Sequence, residues 1–337
     1  MRMVAMATIR THGYGGRGTV PIVRYVVYGA GAVGGSIGGR LARAGHDVTL
    51  VARGDHLARI REVGLTLDTA DGVHTIPTPA VDGAAAVDWS GDPVVLLAVK
   101  SQQTEAALED LVAHAPGVPV VCAQNGVANE RAALRRFPHV HGLNVLLPAS
   151  FLEPGRIVER CGPLPGVLDL GRYPAGTDDV DNAVAADLRS SGYEAAAQPD
   201  IMARKYRKLL MNMHNAVDAL CGVGSPEAAE LTARARAEGG AVLAAAGVAV
   251  AGPDARDGLI HMREGTPSGG STWQSLVRGQ SSEIDYLAGE IVLTARLHGV
   301  PAPVNTLLQR RVHALAASGA GPRSVAAAEL LAELDTP

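Results

Sequence analysis

The apolar run Tyr25-Val26-Val27-Tyr28 leads directly into Gly29-Ala30-Gly31-Ala32-Val33-Gly34, and this stretch constrains the fold more than any other. The run predicts a buried strand, Gly35 to Ala44 a helix, and His46 to Val51 a second strand. Together they close a unit of about thirty residues of the kind that cradles a dinucleotide. Gly29 permits the tight turn, Gly31 lets the backbone approach a pyrophosphate, and Gly34 lets helix and strand pack closely. The diphosphate is expected on the free N–H groups and positive dipole end of the helix, which makes Gly29, Ala30, Gly31, Ala32, Val33 and Gly34 the expected cofactor residues. A purely structural turn would use the same residues; the strand before and the helix after favour the cofactor.

Gly13-Tyr14-Gly15-Gly16-Arg17-Gly18 spells the same pattern, but Thr19-Val20-Pro21-Ile22 follows it, which is no helix start. Residues 1–20 are expected to form a flexible extension, or to reflect a start codon placed too early. A chain of 337 residues suggests two domains, and 47% hydrophobic residues with few aromatics fit helices packed on a Val/Leu-rich sheet. A net charge of −4 with dispersed Lys and Arg argues against a nucleic-acid partner. No apolar run reaches the eighteen or so residues of a membrane span, so a soluble, cytoplasmic protein is expected. Cys122, Cys161 and Cys221 are too few and too irregularly spaced for a disulfide framework or a zinc site, and no metal-ligand spacing appears.

Further along, Asp92 to Lys100 contains a continuous apolar run of buried parallel-strand type, Thr104 to His114 reads as a helix, and Val118 to Cys122 as the next strand, ending in Gln124-Asn125-Gly126. Val140 to Leu147 and Gly166 to Leu170 are expected as additional strands, with Asp178 to Ser190 helical. The expected N-terminal unit is a doubly wound sheet with an antiparallel extension, over residues 21–197. From Asp200 the pattern is helical only, which gives a second domain over residues 198–330. Its expected helices are Ile201 to Leu220, Pro226 to Ala246, Gly270 to Val277, Ser282 to Leu297 opening on a Ser-x-x-Asp box, and Asn305 to Ala317 before an Ala-rich tail.

Arg53 stands at the end of the second strand, where an acidic residue would bind the ribose 2′-hydroxyl of NAD. A forked contact with a 2′-phosphate favours NADPH; alternatively, Arg53 is merely solvated and Asp55 takes a ribose hydroxyl. In the helical part, Lys208, Asn212 and Asn215 fall at i, i+4 and i+7, on one face, with a second polar pair in Ser271 and Glu283. Such a triplet can be an ordinary solvated face, but asparagine is a poor helix former and the second cluster argues for a site.

The motifs Gly-Ala-Gly-Ala-Val-Gly, Val99-Lys100-Ser101-Gln102-Gln103, Gln124-Asn125-Gly126, Tyr206 to Asn212 and Ser282 to Glu290 occur in the order and spacing of the ketopantoate reductase family, and the chain resembles that family over about residues 22 to 315. The resemblance implies a Rossmann-type domain followed by an all-helical domain of the 6-phosphogluconate dehydrogenase C-terminal type. It also implies NADPH-dependent reduction of 2-dehydropantoate to pantoate, in the route to pantothenate and coenzyme A. By that resemblance Lys208 is the proton donor to the keto oxygen, with Lys205 its rival on sequence alone. The resemblance also implies that Asn125, near the nicotinamide and the lysine, and Glu283 join Lys208 as catalytic residues, that Lys100 contacts the cofactor, that Ser271 and Glu283 hold the substrate's carboxylate and hydroxyl end, and that Asn212 and Asn215 lie beside them.

The match has departures. The second asparagine comes one residue early, Asp218 and Ser225 replace other residues, and Ser275 stands where an aspartate is common. All lie on the substrate side, so a reductase of the same fold for another 2-oxo acid or an imine is the alternative, and a non-catalytic NADPH-binding regulator is the alternative of another class. His214, six residues past Lys208, is expected to face away. The helical domain has apolar surface enough for a homodimer.

Overall fold

A computed structural model describes residues 23–266 and 269–336; the expected extension at residues 1–20 lies outside them. The first part of the chain forms β1 (Tyr25–Tyr28), α1 (Ala32–Arg43), β2 (Val48–Val51), α2 (Gly54–Val63), β3 (Leu65–Thr69), β4 (Gly72–Ile76), β5 (Ala80–Val81), β6 (Val94–Leu97), α3 (Thr104–His114) and β7 (Val120–Cys122). It continues through α4 (Asn129–Leu134), β8 (Val140–Leu146), β9 (Ala149–Glu153), β10 (Arg156–Glu159), β11 (Val167–Arg172) and α5 (Asp179–Ser190).

The main sheet runs β11-β8-β7-β6-β1-β2-β5. β1 lies parallel to both neighbours, with Tyr25 opposite Val48 on one side and Val94 on the other. Its strands are apolar throughout because both faces are covered: Ile37 and Leu41 of α1 with Val184 and Leu188 of α5 on one side, Leu108 and Leu111 of α3 on the other. The chain leaves β1 for β2 on one side and returns to β6 on the other, so the crevice of the fold opens at the carboxyl ends of β1 and β6.

Two features differ from expectation. β8 joins β7 in parallel and only β11 runs antiparallel, so the antiparallel extension is a single strand. A separate four-stranded sheet, β4-β3-β10-β9, covers the outer side of α1. Its β9–β10 hairpin turns at Pro154-Gly155, with Gly155 at φ +77°; the strands are short and partly exposed, which weakens their sequence signal. The glycines of α1 follow from its place between two sheets. A Cβ at Gly38 would meet Leu50 at 2.8 Å on one side, and one at Gly39 would meet Leu67 at 2.7 Å on the other.

The second part is helical: α6 (Ile201–Met211), α7 (His214–Cys221), α8 (Pro226–Ala245), α9 (Ser271–Val277), α10 (Ala288–His298), α11 (Pro303–Ser318) and α12 (Ala327–Asp335). Leu209, Val217, Leu231, Ile291 and Leu308 form its core. The expected single helix over 201–220 is interrupted at Asn212 and Met213, where the hydrogen bonds shorten to Met213 N–Leu210 O and Asn215 N–Asn212 O. The expected helix opening at Ser282 is instead a 3-10 turn over Ile284–Tyr286, and α10 starts at Ala288; the Glu283 carboxylate is drawn away to another strand end. The Ala-rich tail contains α12, which packs on α8. Among the described residues no helix is long and apolar enough to cross a membrane.

Candidate functional site

The glycine turn sits where β1 ends. Gly29 has φ +109°, and a Cβ there would meet Val99 N at 2.8 Å, so the turn and the close approach of the β6 end both require glycine. A Cβ at Gly31 would meet nothing within 4 Å, so the backbone there faces open space. Gly31 is also the N-cap of α1 and offers no side-chain cap to the first N–H groups. An open cradle, uncapped donors and a helix dipole fit a dinucleotide's diphosphate. The loop is braced by a residue outside the sequence expectations: His56 on α2 is buried, holds the Ala30 carbonyl through Nε2 at 2.7 Å, and accepts the Gly155 N–H at Nδ1 at 2.8 Å. Those two bonds fix the Nε2–H tautomer, and burial pushes its pKa down. Arg53, at the end of β2, is exposed and makes no ion pair among the described residues.

Residues after β6 and β7 are tied together by a buried polar chain. Gln124 donates to the Val99 carbonyl and to Thr104, each at 2.8 Å; Thr104 donates to Asn129; and Asn129 donates to Ser101 Oγ and to the Asn125 carbonyl. Ser101 donates through its N–H and Oγ to Glu283, both at 3.0 Å, and the Lys100 ammonium meets the same carboxylate at 2.6 Å. Burial pushes the Glu283 carboxyl up, but Lys100 and the two Ser101 donors together pull it below its usual range. Gly126, at φ +80°, lets the turn reach the Tyr286 carbonyl; a Cβ there would stand 2.9 Å from that oxygen. The chain thus joins two strand ends to the helical part, through residues whose partners the local sequence does not reveal.

A cavity of about 670 Å³ opens beside this chain, and Asn125, Lys208, Asn212, Asn215 and Ser271 all line it. Asn212 and Asn215 are buried, and Asn212 Nδ2 donates to Asn125 Oδ1 at 3.4 Å. Lys205 and Lys208 separate cleanly. Lys205 is buried, pairs with Glu130 at 2.6 Å and donates to the Gln124 and Leu143 carbonyls. Lys208 faces the cavity with no hydrogen-bond partner among the described residues. Burial pushes its pKa down to about 8, and the carboxylate that acts against this, Asp257, is paired with Arg207. His214 also lines the cavity instead of facing away, because the break before α7 turns it inward; its Nδ1 lies 2.7 Å from the Met211 carbonyl.

Of the expected residues, Glu283 and Lys100 are joined to each other outside the cavity lining, and Arg53 stands apart at the β2 end. Three further lining residues carry charges: Asp218 on α7, which the sequence places on the substrate side, and Arg160 after β10 and Arg323 before α12, for which the sequence gives no such expectation. Asp218 takes Arg323 at 2.8 Å and the Gly270 N–H at 2.6 Å, and the Arg323 guanidinium lies over the Trp273 ring at 5.1 Å.

Residues 25–174 match the family described as Ketopantoate reductase PanE/ApbA, and residues 200–316 match its C-terminal counterpart. A 2-dehydropantoate 2-reductase of Pyrococcus horikoshii is 28% identical over 311 residues, spanning 89% of this chain and 100% of that one. A 2-dehydropantoate 2-reductase of Halobacterium salinarum is 30% identical over 295 residues, spanning 84% and 95%. The crystal structure of a PanE/ApbA family ketopantoate reductase from Ralstonia eutropha JMP134 superposes with a TM-score of 0.74 at 28% identity, over 88% of this chain and 99% of that one. The chain belongs to the ketopantoate reductase family and is an oxidoreductase of the 2-dehydropantoate 2-reductase type.

Proposed function

We propose that the protein reduces a 2-oxo acid to the 2-hydroxy acid with NADPH and one proton, with 2-dehydropantoate as the first substrate to test. Residues 21–197 serve as the cofactor domain and 198–330 as the substrate domain. The observation that carries this reading is the Lys208 ammonium, without a partner among the described residues, in a cavity it lines with Asn125 and Asn212, on a helix whose other candidate, Lys205, is fully engaged. When bound, the reduced nicotinamide supplies the hydride. The Lys208 ammonium donates a hydrogen bond to the keto oxygen, stabilises the charge that develops there, and delivers the proton. A lysine brought down to about 8 remains mostly protonated at neutral pH and gives up its proton more readily than a free one.

Asn125 and Asn212 hold the approach to that oxygen, with Ser271 and Asn215 available to the substrate's carboxylate or hydroxyl. Glu283 acts by fixing Lys100 and Ser101 at the cofactor side of the cleft. Gly29 to Gly34 receive the diphosphate and Arg53 the 2′-phosphate; its exposure without an ion-pair partner supports NADPH over NADH. The test is NADPH and NADH oxidation by the purified protein against a panel of 2-oxo acids that includes 2-dehydropantoate. Turnover of one of them with NADPH is expected, and cofactor binding without turnover of any would support a regulator instead.

A second reading, a reductase of the same type for a different 2-oxo acid, is favoured by the charges at the far end of the cavity. Asp218 is one of the departures from the family pattern, and here it lines the cavity and anchors Arg323.

A further inference from the structure

Arg160 is a second cation of the substrate cavity, beside Lys208, that has no ion-pair partner among the described residues. It lines the space with Lys208, Asp218 and Arg323, but among the described residues its guanidinium makes a single hydrogen bond, from Nη1 to the Gly269 carbonyl at 2.6 Å, and its buried Nε has no partner. The Arg323 charge is answered by Asp218, whereas Arg160 has no carboxylate within ion-pair reach among the described residues. Residues 1–22, 267 and 268 contain no Asp or Glu, so they bring no acidic side chain to it. Burial works against the Arg160 charge, and a desolvated guanidinium without a counter-ion is a site for an anion that the protein does not itself supply.

The position of this anion site within the cavity decides what it recognises. Arg160 reaches Gly269, next to Gly270, whose N–H is held by Asp218. Asp218 stands ten residues beyond Lys208, past the break at Asn212 and Met213. The groups that act on Arg160 are Cys161 and the Asp218 carboxylate, those that act on Lys208 are Asp257 and Arg207, and neither cation is among the groups that act on the other. The two cations therefore stand apart in one cavity. A carboxylate attached directly to the keto carbon stays within a few ångströms of the Lys208 end, which leaves Arg160 for a group at the other end of the substrate.

We propose that Arg160 is a specificity residue that binds a second, distal anionic group, so that the preferred substrates are 2-oxo acids carrying a carboxylate at each end. The proposal rests on the 2-oxo acid reductase reading above and deepens it. 2-Dehydropantoate carries a neutral hydroxyl at that end and leaves the guanidinium unanswered; a 2-oxo diacid answers it with a forked, charge-assisted pair. The neighbouring Arg323, compensated by Asp218 and stacked on Trp273, keeps this end positive without supplying a second free cation.

The test compares kcat/KM with NADPH for 2-oxoglutarate, 2-dehydropantoate and 2-oxopentanoate in the wild-type enzyme and in Arg160→Gln and Arg160→Lys. The wild type is expected to favour 2-oxoglutarate over 2-oxopentanoate by at least about tenfold, and Arg160→Gln to lower that ratio by about 100-fold, with partial recovery in Arg160→Lys. A ratio that does not change on substitution overturns the proposal, since a residue holding the shared carboxylate or only the fold would affect both substrates alike. A wild type that prefers 2-dehydropantoate or 2-oxopentanoate overturns it too. Calorimetric titration with glutarate, which cannot be reduced, separates the two layers of the argument. Glutarate binding that depends on Arg160 in a protein that reduces none of the acids would retain the anion site and remove the reductase reading. Glutarate binding that is equal in wild type and Arg160→Gln removes the anion site whatever the turnover.

Discussion

Lys205 and Lys208 lie one turn apart on α6, and their ammonium groups meet opposite environments: Lys205 is enclosed by Glu130 and two carbonyls, while Lys208 faces the cavity without a partner among the described residues. The first ties the helix to the turn after β7 and to the middle of β8; the second faces the space proposed for a ligand. This division supports Lys208, not Lys205, as the proposed proton donor. Lys205→Met leaves the Glu130 carboxylate buried and unpaired, and is expected to lower unfolding stability by about 3–5 kcal/mol. Urea denaturation of Lys205→Met beside Lys208→Met checks it, with the large loss expected only in the former.

The pH dependence of the reduction follows from Lys208. In the proposed mechanism Lys208 must be protonated to act, and burial, which brings its pKa down to about 8, has it lose its proton as pH rises through that value. We expect kcat/KM for the 2-oxo acid to be level below that value and to fall about tenfold per pH unit above it. A profile that keeps rising past pH 9 would assign the proton to another group.

His56 ties the glycine turn proposed to hold the cofactor to the β9–β10 hairpin. Its depressed pKa means that the folded state keeps it neutral while the unfolded chain takes up a proton near 6.5. Its contribution to stability is therefore complete above about 6.5 and is lost as pH falls from there through the folded value. His56→Leu removes both the Ala30 and Gly155 contacts, and is expected to cost about 1–3 kcal/mol and to weaken NADPH binding. Thermal unfolding at pH 7.5 and 5.5, with NADPH titration at the higher pH, reads both effects.

Arg53 is expected to set the cofactor preference. Arg53→Ala should raise KM for NADPH by about tenfold or more and leave KM for NADH nearly unchanged, because only the former has a 2′-phosphate. Equal effects on the two cofactors would place Arg53 outside the adenosine end.

How far the site could be read from the chain depended on sequence distance. The β1–Gly29–α1 unit and the Lys208-Asn212-Asn215 face are local patterns, and local patterns are set by periodicity and turn chemistry; both appear in the fold, the second with a break at Asn212 that also brings His214 inward. Glu283 meets Lys100 across 183 residues and Arg323 meets Asp218 across 105, and no local spacing announces either contact. The same holds for Arg160, an arginine at the end of a short strand that nothing in its neighbours distinguishes from a surface residue. Nothing in the neighbours of His56 sets it apart, and only its carbonyl partner in the glycine turn shows its use.

The most direct test of the central claim is steady-state and single-turnover reduction by Lys208→Ala, measured with NADPH and the best 2-oxo acid of the panel. Loss of a general acid that acts in the transition state should lower kcat by about 10²–10⁴ and change the Kd for NADPH by less than about threefold. Wild-type kcat in Lys208→Ala would contradict the assignment of Lys208 and the mechanism built on it.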